Sequence, residues 1–247
     1  MCCFSRTVEK VSGTSIFARA SEDGRQFLVY SMHVDAREEL AMILPIPVPS
    51  HSGEDAVRFI NLEEYPEFFE EMRRPFQPLP GFLSRSPVAA AAALTLKVVE
   101  VGSFVSSFVP TVADFGRLDE RFRLPADTWD RLPRYADFGF AVFQLKPGNQ
   151  KVHPMAFEFP RADSAQLFFP TVHIHDGVVK PTAYFDHALF CQRPRGERLE
   201  GWKDSGEPAG DYMENIHRAQ GVVDPGAPCY LMTVDGIRTN EDIVVAA

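Results

Sequence analysis

The 247 residues carry 25 Lys and Arg against 34 Asp and Glu, a formal charge of −9 with histidine neutral. That deficit of cations argues against a nucleic acid or an acidic membrane surface as partner. At 45% hydrophobic and 24% charged residues the composition is that of a globular chain, which excludes wholesale disorder, a collagen-like repeat and a coiled-coil rod.

The start, Met1-Cys2-Cys3-Phe4-Ser5-Arg6-Thr7, lacks the charged region, apolar run and cleavage site of a signal peptide, so the expected location is the cytoplasm. The runs 14–20, 26–34 and 40–48 are apolar and rich in β-branched residues. They are separated by Glu22-Asp23-Gly24-Arg25 and by residues 35–39, and they read as consecutive antiparallel strands. The third ends in Leu44-Pro45-Ile46-Pro47-Val48-Pro49, which belongs at a sheet edge or exit because proline cannot donate to a central ladder. Acidic starts followed by apolar residues at helical spacing predict short helices over 53–58 and 63–74. Residues 75–93, rich in proline and then alanine, read as a surface connection. No run reaches the roughly 18 apolar residues of a membrane span.

A second block opens with strands over 94–101 and 104–109, followed by helical patterns over 112–122 and 127–135. Strands are expected at 138–145, 152–159 and 166–175, a polar loop at 193–208, a helix at 211–220 and a strand at 229–234. Strands and helices come in runs, so the fold class is α+β, with mostly antiparallel sheets and a few short helices. One compact domain over 1–247 is expected, with halves 1–75 and 94–247 joined by the connection 75–93. The segment Met155-Ala156-Phe157-Glu158-Phe159-Pro160 loosely echoes Met42-Ile43-Leu44-Pro45, which raises an internal duplication of a strand-pair unit.

Several segments, taken in order over roughly residues 2–175, carry a family resemblance. They are the Cys2-Cys3-Phe4 start, Met42-Ile43-Leu44-Pro45-Ile46-Pro47, Val101-Gly102-Ser103-Phe104, the helical region through Tyr135, and Phe140 to Lys146 leading to His153-Pro154-Met155. Together they resemble a bacterial domain family of unknown function whose members are typically exported with a cysteine near the mature N-terminus. The resemblance implies the order of elements and no activity. This chain keeps the cysteine and lacks the export signal.

The most specific chemical feature is Thr171-Val172-His173-Ile174-His175-Asp176-Gly177, followed by Asp186-His187-Ala188-Leu189-Phe190-Cys191. On a strand, residues i and i+2 share a face, so His173 and His175 project together, and a returning strand over 182–192 would add His187 and Cys191. Three imidazoles suit a transition metal, and a thiolate shifts the preference towards zinc or copper. Asp176 or Asp186 would then fix an imidazole tautomer. Against this stands the plainer reading of a polar strand end entering a turn.

The other feature is the N-terminus. Removal of Met1 would leave Cys2 with an α-amine beside its thiol, the activation arrangement of N-terminal-nucleophile hydrolases. Arg19, on the returning strand, stands where cysteine amidohydrolases of that group look to place an arginine. Cys2 or Cys3 could also join the histidines in a mixed His/Cys site. Cys229, in an apolar setting, reads as core. Neither a phosphate-cradling loop, a dinucleotide fingerprint nor a serine elbow occurs.

The leading expectation is therefore a cytoplasmic protein that takes a zinc or copper ion as partner and cofactor. Its ligands come from His173, His175, His187, Cys191, Cys2 and Cys3. The rival is a cysteine N-terminal-nucleophile amidohydrolase using Cys2 with Arg19. The third reading is a non-catalytic interaction or structural module.

Overall fold

Alternation along the strands decides which side chains face which layer. The computed structural model describes residues 3–77, 99–101, 104–175, 178–193 and 199–247. The N-terminal strands are β1 (Cys3–Phe4), β2 (Lys10–Ala20), β3 (Arg25–Ala36), β4 (Leu40–Ile46) and β5 (Arg58–Asn61), followed by the short helix α1 (Phe68–Met72). Then come β6 (Val99–Val101), β7 (Phe104–Val109), α2 (Ala126–Asp130), β8 (Gly139–Leu145), β9 (Gly148–Lys151), β10 (Met155–Pro160) and β11 (Gln166–Phe169). The chain ends with β12 (Thr182–Gln192), β13 (Lys203–Pro208), α3 (Ala209–Tyr212), β14 (Pro228–Thr239) and β15 (Ile243–Ala246). The fold is α+β and dominated by antiparallel strands.

Two large sheets form. One runs β1-β4-β8-β7-β6; the other runs β13-β14-β12-β2-β3-β10-β5, with β9 added against β3. Within the second, β12 runs parallel to β2 and antiparallel to β14. Even-numbered residues of β4 (Met42, Leu44, Ile46) and odd-numbered residues of β8 (Ala141, Phe143, Leu145) meet Ile16, Leu28, Tyr30, Phe157, Leu189 and Cys191 in a core between the sheets. The opposite face of the eight-stranded sheet (Phe17, Val29, Ala156, Phe190) is covered by α1 and α3. The opposite face of the five-stranded sheet (Ala41, Ile43, Phe140, Val142) is covered by Phe115, Leu118, Leu124 and Trp129 from α2 and the turns around it. Burial on both faces is why β4 is apolar at every position, a pattern that hides its alternation in the sequence.

Several local expectations change. Residues 53–57 form a turn, and Arg58–Asn61 is a strand because Phe59 and Ile60 pair with β10. The predicted loop over 193–208 ends in β13, and β15 was not predicted. The strand over 166–175 stops at Phe169, because Pro170 has no N–H to continue the ladder. The segments Met42–Pro45 and Met155–Pro160 lie in different sheets. Most of the 75–93 connection, and residues 94–98 of the next predicted strand, lie outside the described residues.

Candidate functional site

β1 is only two residues long and is held on both sides. It pairs antiparallel with β4, Cys3 opposite Ile43 and Phe4 opposite Met42. On its other side Cys3 forms a parallel bridge with Ile174, and the Phe4 N–H donates to the Ile174 carbonyl at 3.0 Å. The stretch 171–175, irregular after Pro170, is fixed by side chains from the β14–β15 turn. Asp242 Oδ1 accepts from the Thr171 and Val172 N–H groups at 2.8 and 3.1 Å, and Asn240 Oδ1 accepts from the His173 N–H at 2.7 Å.

This arrangement stacks three imidazoles. The ring of His173 lies 5.4 Å from that of His175 with planes 18° apart, and 5.2 Å from that of His187 with planes 23° apart. Phe185 packs on His173 and His187 at 4.4 and 5.0 Å, and Phe4 meets the edge of His175 at 5.5 Å. His173 and His187 are buried, the latter with 1% of its surface exposed. The Asp186 N–H donates to His187 Nδ1 at 3.2 Å, which makes Nδ1 the acceptor and places the ring proton of the neutral form on Nε2.

The environment opposes protonation. Burial above all, with His175 beside it, pushes the His173 pKa down to about 2. Burial and the other two imidazoles lower that of His187 as well. Among the described residues a carboxylate stands near: Asp186 Oδ1 is 3.8 Å from His187 Nδ1, while its Oδ2 accepts from the Gly13 N–H at 2.7 Å. Gly13 has φ +63° and lies at the irregularity that breaks the β2–β3 register between Ser12 and Ser15.

The expected zinc or copper site is therefore corrected, and with it the metal ion as cofactor and partner. The sequence did predict that His173, His175 and His187 come together, but they meet face to face. A metal takes imidazole lone pairs that lie in the ring planes and converge on one point, whereas near-parallel stacked rings aim theirs side by side. Among the described residues no group of three His, Cys, Asp or Glu side chains could hold a metal ion. Cys191 shares a face with His187 but lies four residues along β12, about 13 Å away, within the core between the sheets. Burial raises its thiol pKa, the reverse of what a thiolate ligand needs. Cys3 sits beside Val172 and Ile174 on the far face of the five-stranded sheet, because alternation turns Phe4, not Cys3, towards the histidines. Cys2, Asp176 and Gly177 lie outside the described residues.

The amidohydrolase reading is corrected too. Arg19 lies on the outer face of the eight-stranded sheet, its guanidinium 4.8 Å from the Phe27 ring, so that sheet stands between it and β1. Arg19 Nε donates to the Val222 carbonyl at 2.8 Å and an Nη to the Gly221 carbonyl at 2.5 Å, which employs the side chain in holding a turn. Asn240 and Asp242, which place the histidine segment, had no local signal in the sequence: each acts about 70 residues away along the chain.

No family model matches the chain, and no curated protein matches it. Among solved structures it is similar to baculovirus P35, with a TM-score of 0.53 at 11% identity over 100% of this chain and 99% of that one. A mutated baculovirus P35 after caspase cleavage matches with a TM-score of 0.53 at 13% identity, over 96% and 99% of the two chains. A caspase-8/P35 complex matches with a TM-score of 0.50 at 11% identity, over 96% of each. At such identities the likeness is one of fold.

Proposed function

We propose that this chain is a non-catalytic protein that engages a cysteine protease of the caspase class. The observation that carries the reading is the likeness of fold to P35 over essentially the whole of both chains, since P35 is recorded both after caspase cleavage and in complex with caspase-8. The frame suits the task. Protease–inhibitor complexes change little in backbone on binding, and two sheets packed over a shared core supply that rigidity. Cytoplasmic residence, where thiols stay reduced, belongs to the same proposal.

The test uses the full chain against caspase-8. Stoichiometric loss of peptide hydrolysis with co-elution on size exclusion is expected. Unchanged hydrolysis and no co-elution, at micromolar chain, overturns the proposal.

A further inference from the structure

We propose that the His187–His173–His175 stack is an acid-operated latch that releases the amino-terminal strand β1 while the two large sheets stay folded. The latch is a matter of geometry. The Ile174 carbonyl is the outer hydrogen-bond partner of β1, and Ile174 lies between two of the three stacked imidazoles. Whatever displaces the segment 173–175 removes that side of β1 and uncovers Phe4 and Cys3.

Acid acts on the stack in two ways. His187 Nδ1 accepts from the Asp186 N–H, so protonation sets a donor against a donor. Two charged rings with centroids 5.2 Å apart, in a layer shared with Phe185 and Phe4, also repel with little water between them. Among the described residues, the charged and titratable groups around the stack offset its charge only in part. Asp186, on β12, accepts from Gly13 of β2 through Oδ2, and its Oδ1, 3.8 Å from His187 Nδ1, faces one of the charged rings and not the others. Asp242, from the β14–β15 turn, is held by Thr171, Val172 and the Tyr135 hydroxyl. Arg134 reaches the Asn240 carbonyl, and Cys3 faces the opposite side of its sheet.

The mobile side of the latch is the segment, not β12. β12 is paired along its whole length with β14 and at its C-terminal half with β2, whereas 171–175 lies outside any continuous ladder and is held by separate bonds from Asn240, Glu241, Asp242 and Phe4. In the open state the imidazoles regain an ordinary pKa near 6.5. Between pH 7.5 and 5.0 opening is then favoured about thirtyfold for each histidine released, and about a thousandfold for two.

Thiol labelling of the full-length Cys2→Ser protein tests this, because Cys3, Cys191 and Cys229 are buried in three different core clusters. An aromatic disulfide reagent active in acid is used, with each rate normalised to the same thiol in the urea-unfolded chain at the same pH. Labelling of Cys3 is expected to rise at least thirtyfold from pH 7.5 to 5.0, while Cys191 and Cys229 stay protected. Replacing His187 by Gln, which keeps an acceptor and cannot titrate, should make that rise smaller by the factor due to one histidine, leaving the part that His173 supplies. Cys3 labelling that does not change with pH overturns the latch. So does labelling of all three thiols in step, which is global unfolding, and so does a folded His187→Gln protein with the wild-type profile. If the variant does not fold, the ratio of Cys3 to Cys191 labelling in the parent protein decides.

Discussion

Asn240 grips the main chain of His173 from both sides. Its Oδ1 accepts from the His173 N–H at 2.7 Å and its Nδ2 donates to the His173 carbonyl at 2.9 Å, while Nδ2 also reaches the Lys180 carbonyl at 2.9 Å. The side chain is buried, so Asn240→Ala strands main-chain groups that water reaches poorly. A loss of about 3 kcal/mol is expected. Asn240→Asp should cost at least as much, because a carboxylate can accept from His173 but cannot donate to either carbonyl. Urea midpoints at pH 7.5 check both.

Gly139 gives a packing test. A Cβ there would stand 2.5 and 2.6 Å from Phe108 ring atoms and 3.0 Å from a Val48 methyl, at the start of a strand paired on both sides. Gly139→Ala should destabilise by about 1–3 kcal/mol as the Phe108 ring is driven into its neighbours. Gly116, where an added methyl meets nothing within 4 Å, is the matched control and should change stability by no more than about 0.5 kcal/mol on substitution by Ala. Thermal unfolding of the pair reads the difference.

How much of this was legible beforehand follows from the range of each signal. The strands expected over 14–20 and 26–34 announce themselves through local runs and a turn and fall within β2 and β3, and the return considered over 182–192 is the strand β12. That His173, His175 and His187 meet was likewise readable, because period-two alternation and one strand return suffice. Ring orientation was not readable. It depends on Pro170 ending β11 and on Asn240 and Asp242 catching the chain beyond it, contacts made across about 70 residues. The difference between a metal site and a stack therefore lay in non-local bonds. Arg19 was misread for the same reason: its partners, Gly221 and Val222, are some 200 residues on.

Glu71 supplies a pH dependence separate from the histidines. Burial by itself would raise its pKa, yet the Asn215 main-chain and side-chain N–H groups at 3.0 and 2.7 Å, the Tyr65 hydroxyl at 2.7 Å and Arg74 hold it below 4.5. A carboxyl depressed on folding contributes stability that is present above its unfolded pKa and lost as pH falls through the folded value. Glu71→Gln is therefore expected to lose about 2–3 kcal/mol at pH 7, where an amide N–H faces donors, and to show a shallower fall in stability below pH 4.5. Urea titrations at pH 7 and pH 4 decide it. A variant whose stability falls as steeply as the parent's below pH 4.5 would remove Glu71 from the acid response.

Arg19 should prove to be a fastener. Its fork serves two adjacent carbonyls, Gly221 and Val222, while its stem and guanidinium cover Phe27. Arg19→Met keeps an apolar stem over the ring and loses both donors, so a loss of about 2 kcal/mol is expected. Arg19→Lys keeps the charge but presents a point donor in place of a planar fork, and should fall between the variant and the parent. Amide exchange across 219–224 should quicken in the same order, Met above Lys above Arg, with the strands β2 and β3 unchanged. Equal stability for Lys and Arg would mean that charge alone holds the turn, and the two-point geometry would then carry no energy of its own.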